Sequence, residues 1–135
     1  MFSHVFIGTN NFARAYPFYA ALAAKLPLTQ KFCDPVKGWA GWTAPGVARP
    51  LLVIGAPYDG EPAHPGNGQM VARLAPNRAT VDQCHEFALA AGGSCEGAPS
   101  LRPQYHANYY GAYFRDLDGN KLCVCCHDAK FGDET

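Results

Sequence analysis

Two periods alternate along this chain. His4-Val5-Phe6-Ile7 is a short apolar run of strand length, rich in residues that favour a pleated surface. From Phe12 the spacing becomes helical: Phe12, Ala15, Phe18-Tyr19 and Leu22 form one stripe, which predicts a helix to about Lys25. Asn10 and Asn11 stand ready as caps, and Pro27 ends it. Pro17 lies inside that span, so the helix either kinks there or begins at Tyr16-Pro17. Leu28 to Cys33, Trp39 to Thr43 and Leu51 to Ile54 then read as three strands, punctuated by Pro35, Lys37-Gly38 and Pro45-Gly46.

Tyr58 to Gly68 holds two prolines and three glycines among eleven residues and reads as a linker. After it the order repeats. Gln69 to Leu74 is strand-like, and Asn77 or Thr80 caps a helix reaching Ala91. Thr80-x-x-Gln83 matches a capping box, with Val81, Cys84, Phe87-Ala88 and Ala91 as the apolar face. Gly92-Gly93 supplies the stop, and Ser94 to Leu101 is a weaker strand. The run from Tyr109 to His127 closes the chain as a hairpin, turning through Asp116 to Asn120, where Gly119 and Asn120 tolerate a positive φ. His4 lies seven residues before Asn11 and Met70 seven before Asn77, so the repeat is visible as a spacing.

That aromatic strand, Asp116-Leu117-Asp118-Gly119-Asn120 turn and cysteine-rich last strand resemble the terminal strand pair of the glyoxalase, bleomycin-resistance and extradiol-dioxygenase superfamily, with Leu117 where the family usually has proline. The resemblance implies an α+β fold of two β-α-β-β-β modules forming an open half-barrel sheet with a concave cavity. The expected organisation is one domain: module one about 1–56, a linker about 57–68, module two about 69–127, and a short tail. It also implies a metal site, onto which His4 maps as a first-strand histidine. Met70 stands at the equivalent position of the second module, and Cys123 replaces a final-strand glutamate. The fourth position falls among the aliphatic residues Leu51 to Ile54. Thiolate and thioether in place of carboxylate and imidazole soften the set, and two donors do not hold an ion firmly. No cofactor is therefore expected. If a divalent metal is present, His4 and Cys123 are its donors.

Composition narrows the function classes. Eleven basic and eleven acidic residues cancel among 135, so nothing draws the surface to nucleic acid or anionic membrane. No apolar run reaches the roughly 18 residues of a membrane span. Met1-Phe2-Ser3-His4 lacks the basic and apolar regions of a signal peptide, so a cytoplasmic location is expected, with the six cysteines reduced. A half-open sheet on a neutral chain predicts a homodimer.

The candidate cavity and ligand-binding residues are His4, Met70, Arg102, Tyr105, His106, Tyr110, Cys123 and Cys125. Arg102 suits a carboxylate or phosphate, and the Tyr105-His106 loop offers flat rings with polar tips, which suit either ligand contact or anchoring of the loop. Cys123 is a nucleophile candidate if His4 lies across the cavity, and a small wall residue otherwise. Trp39 and Trp42 have opposite strand parity, so at most one faces a cavity. The Gly66-x-Gly68 pair is too short for phosphate, and the Asp116–Asn120 turn lacks the distal glutamate of a calcium loop. By resemblance, the chain is expected to bind a small molecule in the concave cavity, as a lactoylglutathione-lyase-like or isomerase relative with a degenerate metal site. The alternatives are a metal-dependent glyoxalase- or dioxygenase-type enzyme with altered ligands, and a non-catalytic dimer that sequesters an antibiotic or other ligand.

Overall fold

A computed structural model describes residues 1–129, so most of the expected tail after residue 127 lies outside the described residues. The chain forms β1 (His4–Gly8), α1 (Phe12–Lys25), β2 (Thr29–Asp34), β3 (Trp39–Thr43) and β4 (Leu51–Gly55). It then repeats the order as β5 (Val71–Leu74), α2 (Arg78–Ala90), β6 (Ser94–Leu101), β7 (Tyr110–Arg115) and β8 (Lys121–Cys126). The first sheet runs β1-β4-β3-β2 and the second β5-β8-β7-β6, the same order with the first pair parallel and the rest antiparallel. The expected α+β pair of β-α-β-β-β modules is therefore what forms.

The chain divides into two compact units. The first comprises residues 1–67 together with Leu117–Asn120, and the second, among the described residues, 68–116 and 121–129. In the first, Asn11 caps α1 by accepting from the Arg14 N–H, and the helix continues through Pro17 to Lys25. Pro17 sits at the sixth helical position and removes one ladder bond, to the Ala13 carbonyl. Burial of Ala15, Phe18, Tyr19 and Leu22 outweighs that loss, each large side chain contributing about 1.5–3 kcal/mol. Helix α1 packs on β2, β3 and β4, where Trp42 is buried and stacks on Tyr16 at 5.9 Å. Leu117–Asn120 bind beside the start of α1: the Asp118 carboxylate accepts from the Thr9 hydroxyl at 2.6 Å and the Asn10 N–H at 2.9 Å. A negative group there meets the positive end of the helix dipole.

In the second unit Asn77 alone caps α2, accepting from the Thr80 N–H at 2.8 Å and the Thr80 hydroxyl at 2.9 Å. The capping box expected at Thr80 is thus absent, because Thr80 lies inside the first turn with its hydroxyl already donated to Asn77. Gly92, at φ 105°, lets the chain leave the helix left-handed, and the Gly93 N–H bonds the Ala88 carbonyl at 2.8 Å. Val81, Cys84, His85 and Ala88 are buried on β6, β7 and β8. One boundary differs from expectation, since β5 begins at Val71 rather than Gln69, while the five residues Asp116–Asn120 join β7 and β8 where the turn was expected.

Candidate functional site

Alternation along the strands gives each sheet a face turned to its helix and a face turned away. In the first unit the paired positions Phe6, Val53 and Gly41 share the face away from α1, as do Gly8, Gly55 and Trp39. Gly55 carries no side chain, and a Cβ there would meet the Trp39 Cβ at 3.0 Å and the Phe6 ring at 3.2 Å. The two rings consequently close over bare backbone and form the floor of a cavity of about 670 Å³. Phe32 meets the Trp39 ring edge-on at 4.8 Å and fixes its tilt. Trp39 thus lines the cavity while Trp42 lies under α1, as their opposite parity requires.

The rim comes from loops. Lys37 holds its ammonium 4.7 Å from the Trp39 ring centroid, and Pro57, Tyr58, Ala63 and His64 form the other side. The segment from 58 to 64, part of the stretch read from sequence as a linker, is pinned by Asn10: its side chain donates to the Ala63 carbonyl and accepts from the Ala63 N–H at 2.7 Å. Lys37 and His64 are the basic groups at the rim, and no carboxylate is among the described lining residues. Phe6, Lys37, Tyr58 and His64 were not singled out from sequence. The available signal was the coincidence of Gly8, Gly38 and Gly55 with flanking rings.

In the second unit Tyr110 points to the helix side, where its hydroxyl donates to Asp82 at 2.6 Å and Arg78 lies over its ring. Burial and that carboxylate push its phenol up to about 12. Gly111, Tyr113, Cys123 and Cys125 lie on the opposite face, paired Tyr113–Cys123 and Gly111–Cys125. Around them Tyr105, His106, Tyr109 and His127 form a ring cluster, with centroids 5.0 to 5.8 Å apart for the pairs in contact. Tyr109 donates or accepts at the Tyr113 hydroxyl (3.0 Å) and reaches Cys123 Sγ at 3.6 Å. His127 Nε2 stands 3.6 Å from Cys125 Sγ. Arg102, expected to seek an anion, lays its guanidinium over the Tyr113 ring and donates to the Ala98 carbonyl at 2.8 Å.

Charge follows from these contacts. A hydrogen bond from the Cys123 thiol, helped by the Tyr109 hydroxyl and by His127, holds the Cys125 thiol down to about 6 against the cost of burial. The same bond and burial raise Cys123, which stays a thiol, and burial raises Tyr109, which stays a hydroxyl donor.

The metal site implied by resemblance does not fit these residues. His4 is exposed at the start of β1 with Nδ1 bonded to the Ser3 hydroxyl at 2.9 Å. Met70 is exposed ahead of β5, and the positions paired with β1 on β4 are Leu51, Leu52, Val53, Ile54 and Gly55, which offer no donor side chain. Among the described residues no three His, Cys, Asp or Glu side chains are placed to hold an ion. No helix among the described residues is long and apolar enough to cross a membrane.

A family model described as the Glyoxalase/Bleomycin resistance protein/Dioxygenase superfamily matches residues 1–124. Among solved structures, a glyoxalase/bleomycin resistance protein from Albidiferax ferrireducens T118 is 33% identical, with a TM-score of 0.82 over 93% of this chain and 98% of that one. A glyoxalase-related enzyme from Fulvimarina pelagi is 18% identical, with a TM-score of 0.69 over 93% and 87%. TioX from Micromonospora sp. ML1 is 17% identical, with a TM-score of 0.62 over 95% and 99%. At such identities the last two show the fold alone. No curated protein matches the chain.

Proposed function

Because the chain belongs to the Glyoxalase/Bleomycin resistance protein/Dioxygenase superfamily yet shows, among its described residues, no donor set that fits a metal, we propose that it binds a small flat aromatic anion in the first-unit cavity without metal chemistry. The observation that carries this reading is the cavity lining. Phe6 and Trp39 offer ring faces at the floor, Tyr58 stands at the rim, and Lys37 and His64 supply the polar contacts. Rings stack on a flat ligand in offset or edge-on geometry, worth about 0.5–1.5 kcal/mol per pair beyond burial. A lysine on a flexible stem, held near Trp39, meets a carboxylate or phosphate as a point charge. No carboxylate is among the described lining residues to oppose such an anion at contact distance.

Titration with 2-naphthoate and with uncharged 2-naphthamide tests this. Trp39 lies in the cavity and Trp42 under α1, so binding quenches emission through Trp39, and Trp39→Phe abolishes the response. Lys37→Met weakens the naphthoate about tenfold and leaves the amide unchanged, the size expected for one charge-assisted contact. Absence of saturable binding by either ligand overturns the reading, and an equal loss for both ligands removes the anion.

A further inference from the structure

An imidazole is buried among apolar side chains on the sheet side of α2. His85 lies with Val81, Cys84 and Ala88, is 8% exposed, and meets the Phe114 ring edge-on at 6.3 Å. A buried polar group keeps a hydrogen-bond partner, and the one that His85 Nε2 finds is the Cys95 sulfur, at 3.2 Å. The path of the chain explains the meeting. Gly92 at φ 105° and Gly93, whose Cβ would strike the Arg115 and Ala88 carbonyls, bring β6 back tightly against the end of α2. Cys95 pairs with Phe114, so its side chain takes the helix side, as Phe114 does against His85. β6 is an edge strand and its register shifts just after Cys95, so this residue comes out beside the helix, exposed.

The pair thus has a nucleophilic atom open to solvent and a base that is not. Of the other cysteines, Cys84, Cys123, Cys125 and Cys126 are buried and Cys33 is half-buried. Whichever atom carries it, one proton lies between Sγ and Nε2, and a neutral imidazole is the form that accepts it. Burial holds His85 below the usual imidazole range, which keeps it neutral at neutral pH, while the Asp82 charge favours the imidazolium once the proton has moved. Glu96, the neighbouring carboxylate, is paired with Arg115 at 3.0 Å, which lessens its repulsion of a thiolate.

We propose that Cys95 is a site of reversible thiolation by small disulfides, with His85 as the base that takes its proton. Cys95 Sγ forms a bond to one sulfur of the disulfide, whose S–S bond breaks, and the electron pair leaves on the second sulfur as a thiolate. The thiol proton passes to His85 Nε2 and from there to solvent, where the departing thiolate takes one up. Cys95 is oxidised to a mixed disulfide, and the departing part of the small disulfide is reduced to a thiol. Attack by a small thiol reverses the exchange. This site lies in the second unit and is independent of the ligand proposed for the first.

The test uses the full chain, reduced, with limiting 2-hydroxyethyl disulfide at neutral pH, acid quenching and peptide mapping of the mixed disulfides. Being small and uncharged, this probe reads the sulfur rather than the charges near it. Cys95 is expected to take the first adduct, ahead of Cys33, and to react about tenfold or more faster in the folded chain than in the same chain unfolded in urea. Folding ordinarily shields a thiol, so a rate gained on folding reports the imidazole. That comparison needs no variant, so a folding defect in one does not decide the outcome. His85→Gln, its fold checked by urea midpoint, is expected to bring the Cys95 rate down to about that of the unfolded chain. A role in packing alone would leave the sulfur as open or more so and would not slow it. A first adduct on another cysteine, a Cys95 rate no faster folded than unfolded, or a rate indifferent to His85→Gln overturns the proposal.

Discussion

Gly93 sits where two backbones approach each other. A Cβ there would meet the Arg115 carbonyl at 2.5 Å and the Ala88 carbonyl at 2.9 Å, and neither can rotate away as a side chain would. Gly93→Ala is therefore expected to destabilise by about 3 kcal/mol or more, read as a fall in urea midpoint. Gly41 gives the contrast. Its Cβ would meet the Phe32 ring at 2.5 Å, and a ring can shift, so Gly41→Ala costs less. Cys125 adds a pH dependence of known sign. Its thiol is held near 6 when folded, while an unfolded thiol titrates near ~8.5. Between those values the unfolded chain binds more protons at this position, so stability rises with pH. The contribution is complete above about 8.5 and is lost as pH falls through about 6. Cys125→Ser is expected to flatten the stability profile across that window, and an unchanged slope in urea titrations at pH 5.5 and 8 refutes it.

At the scale of elements, the capping residues Asn11 and Asn77 were legible because a cap is local: side chain and N–H lie three residues apart. Strand order was legible for a related reason, since a repeated pattern folds into a repeated module. The cavity rim was not. Nothing in the prolines and glycines of 58–68 says that Asn10 will clamp Ala63, because that bond joins positions 53 apart. The ring cluster of the second unit was half legible. A hairpin reflected through Asp118 places Tyr113 opposite Cys123 and Gly111 opposite Cys125, and by extension Tyr109 level with His127. Which face the rings would take required the register. Asp118 carries the prediction at this scale. Its carboxylate, 4% exposed, serves Thr9, Asn10 and Arg14. Asp118→Asn is expected to cost about 1.5–3 kcal/mol, the range for hydrogen bonds to a charged group, with calorimetry as the check. A loss under about 0.5 kcal/mol, within the noise of surface substitutions, contradicts it.

For the whole molecule, the chain is neutral, with 48% hydrophobic residues, and keeps Phe2, Phe6, Leu74 and Leu101 exposed. β1 and β2 are edge strands of the first sheet, and β5 and β6 of the second. Open edges and exposed apolar side chains invite self-association, so we propose a homodimer in solution. Sedimentation at micromolar concentration is expected to give twice the 14.6 kDa of the chain, and a monomer at that concentration overturns it.

The assignment of Leu117–Asn120 to the first unit also bears on how such a chain is inherited. A gene cut after Asn67 would encode a first half lacking the Asp118 carboxylate that Thr9 and Asn10 use, and the Asn120 amide bonded to the Gly8 carbonyl. The second half would carry those four residues away from the partners that give them purpose. The first unit thus depends on four residues encoded with the second, and neither half can be expressed alone without breaking the bonds that Gly8, Thr9 and Asn10 make to them.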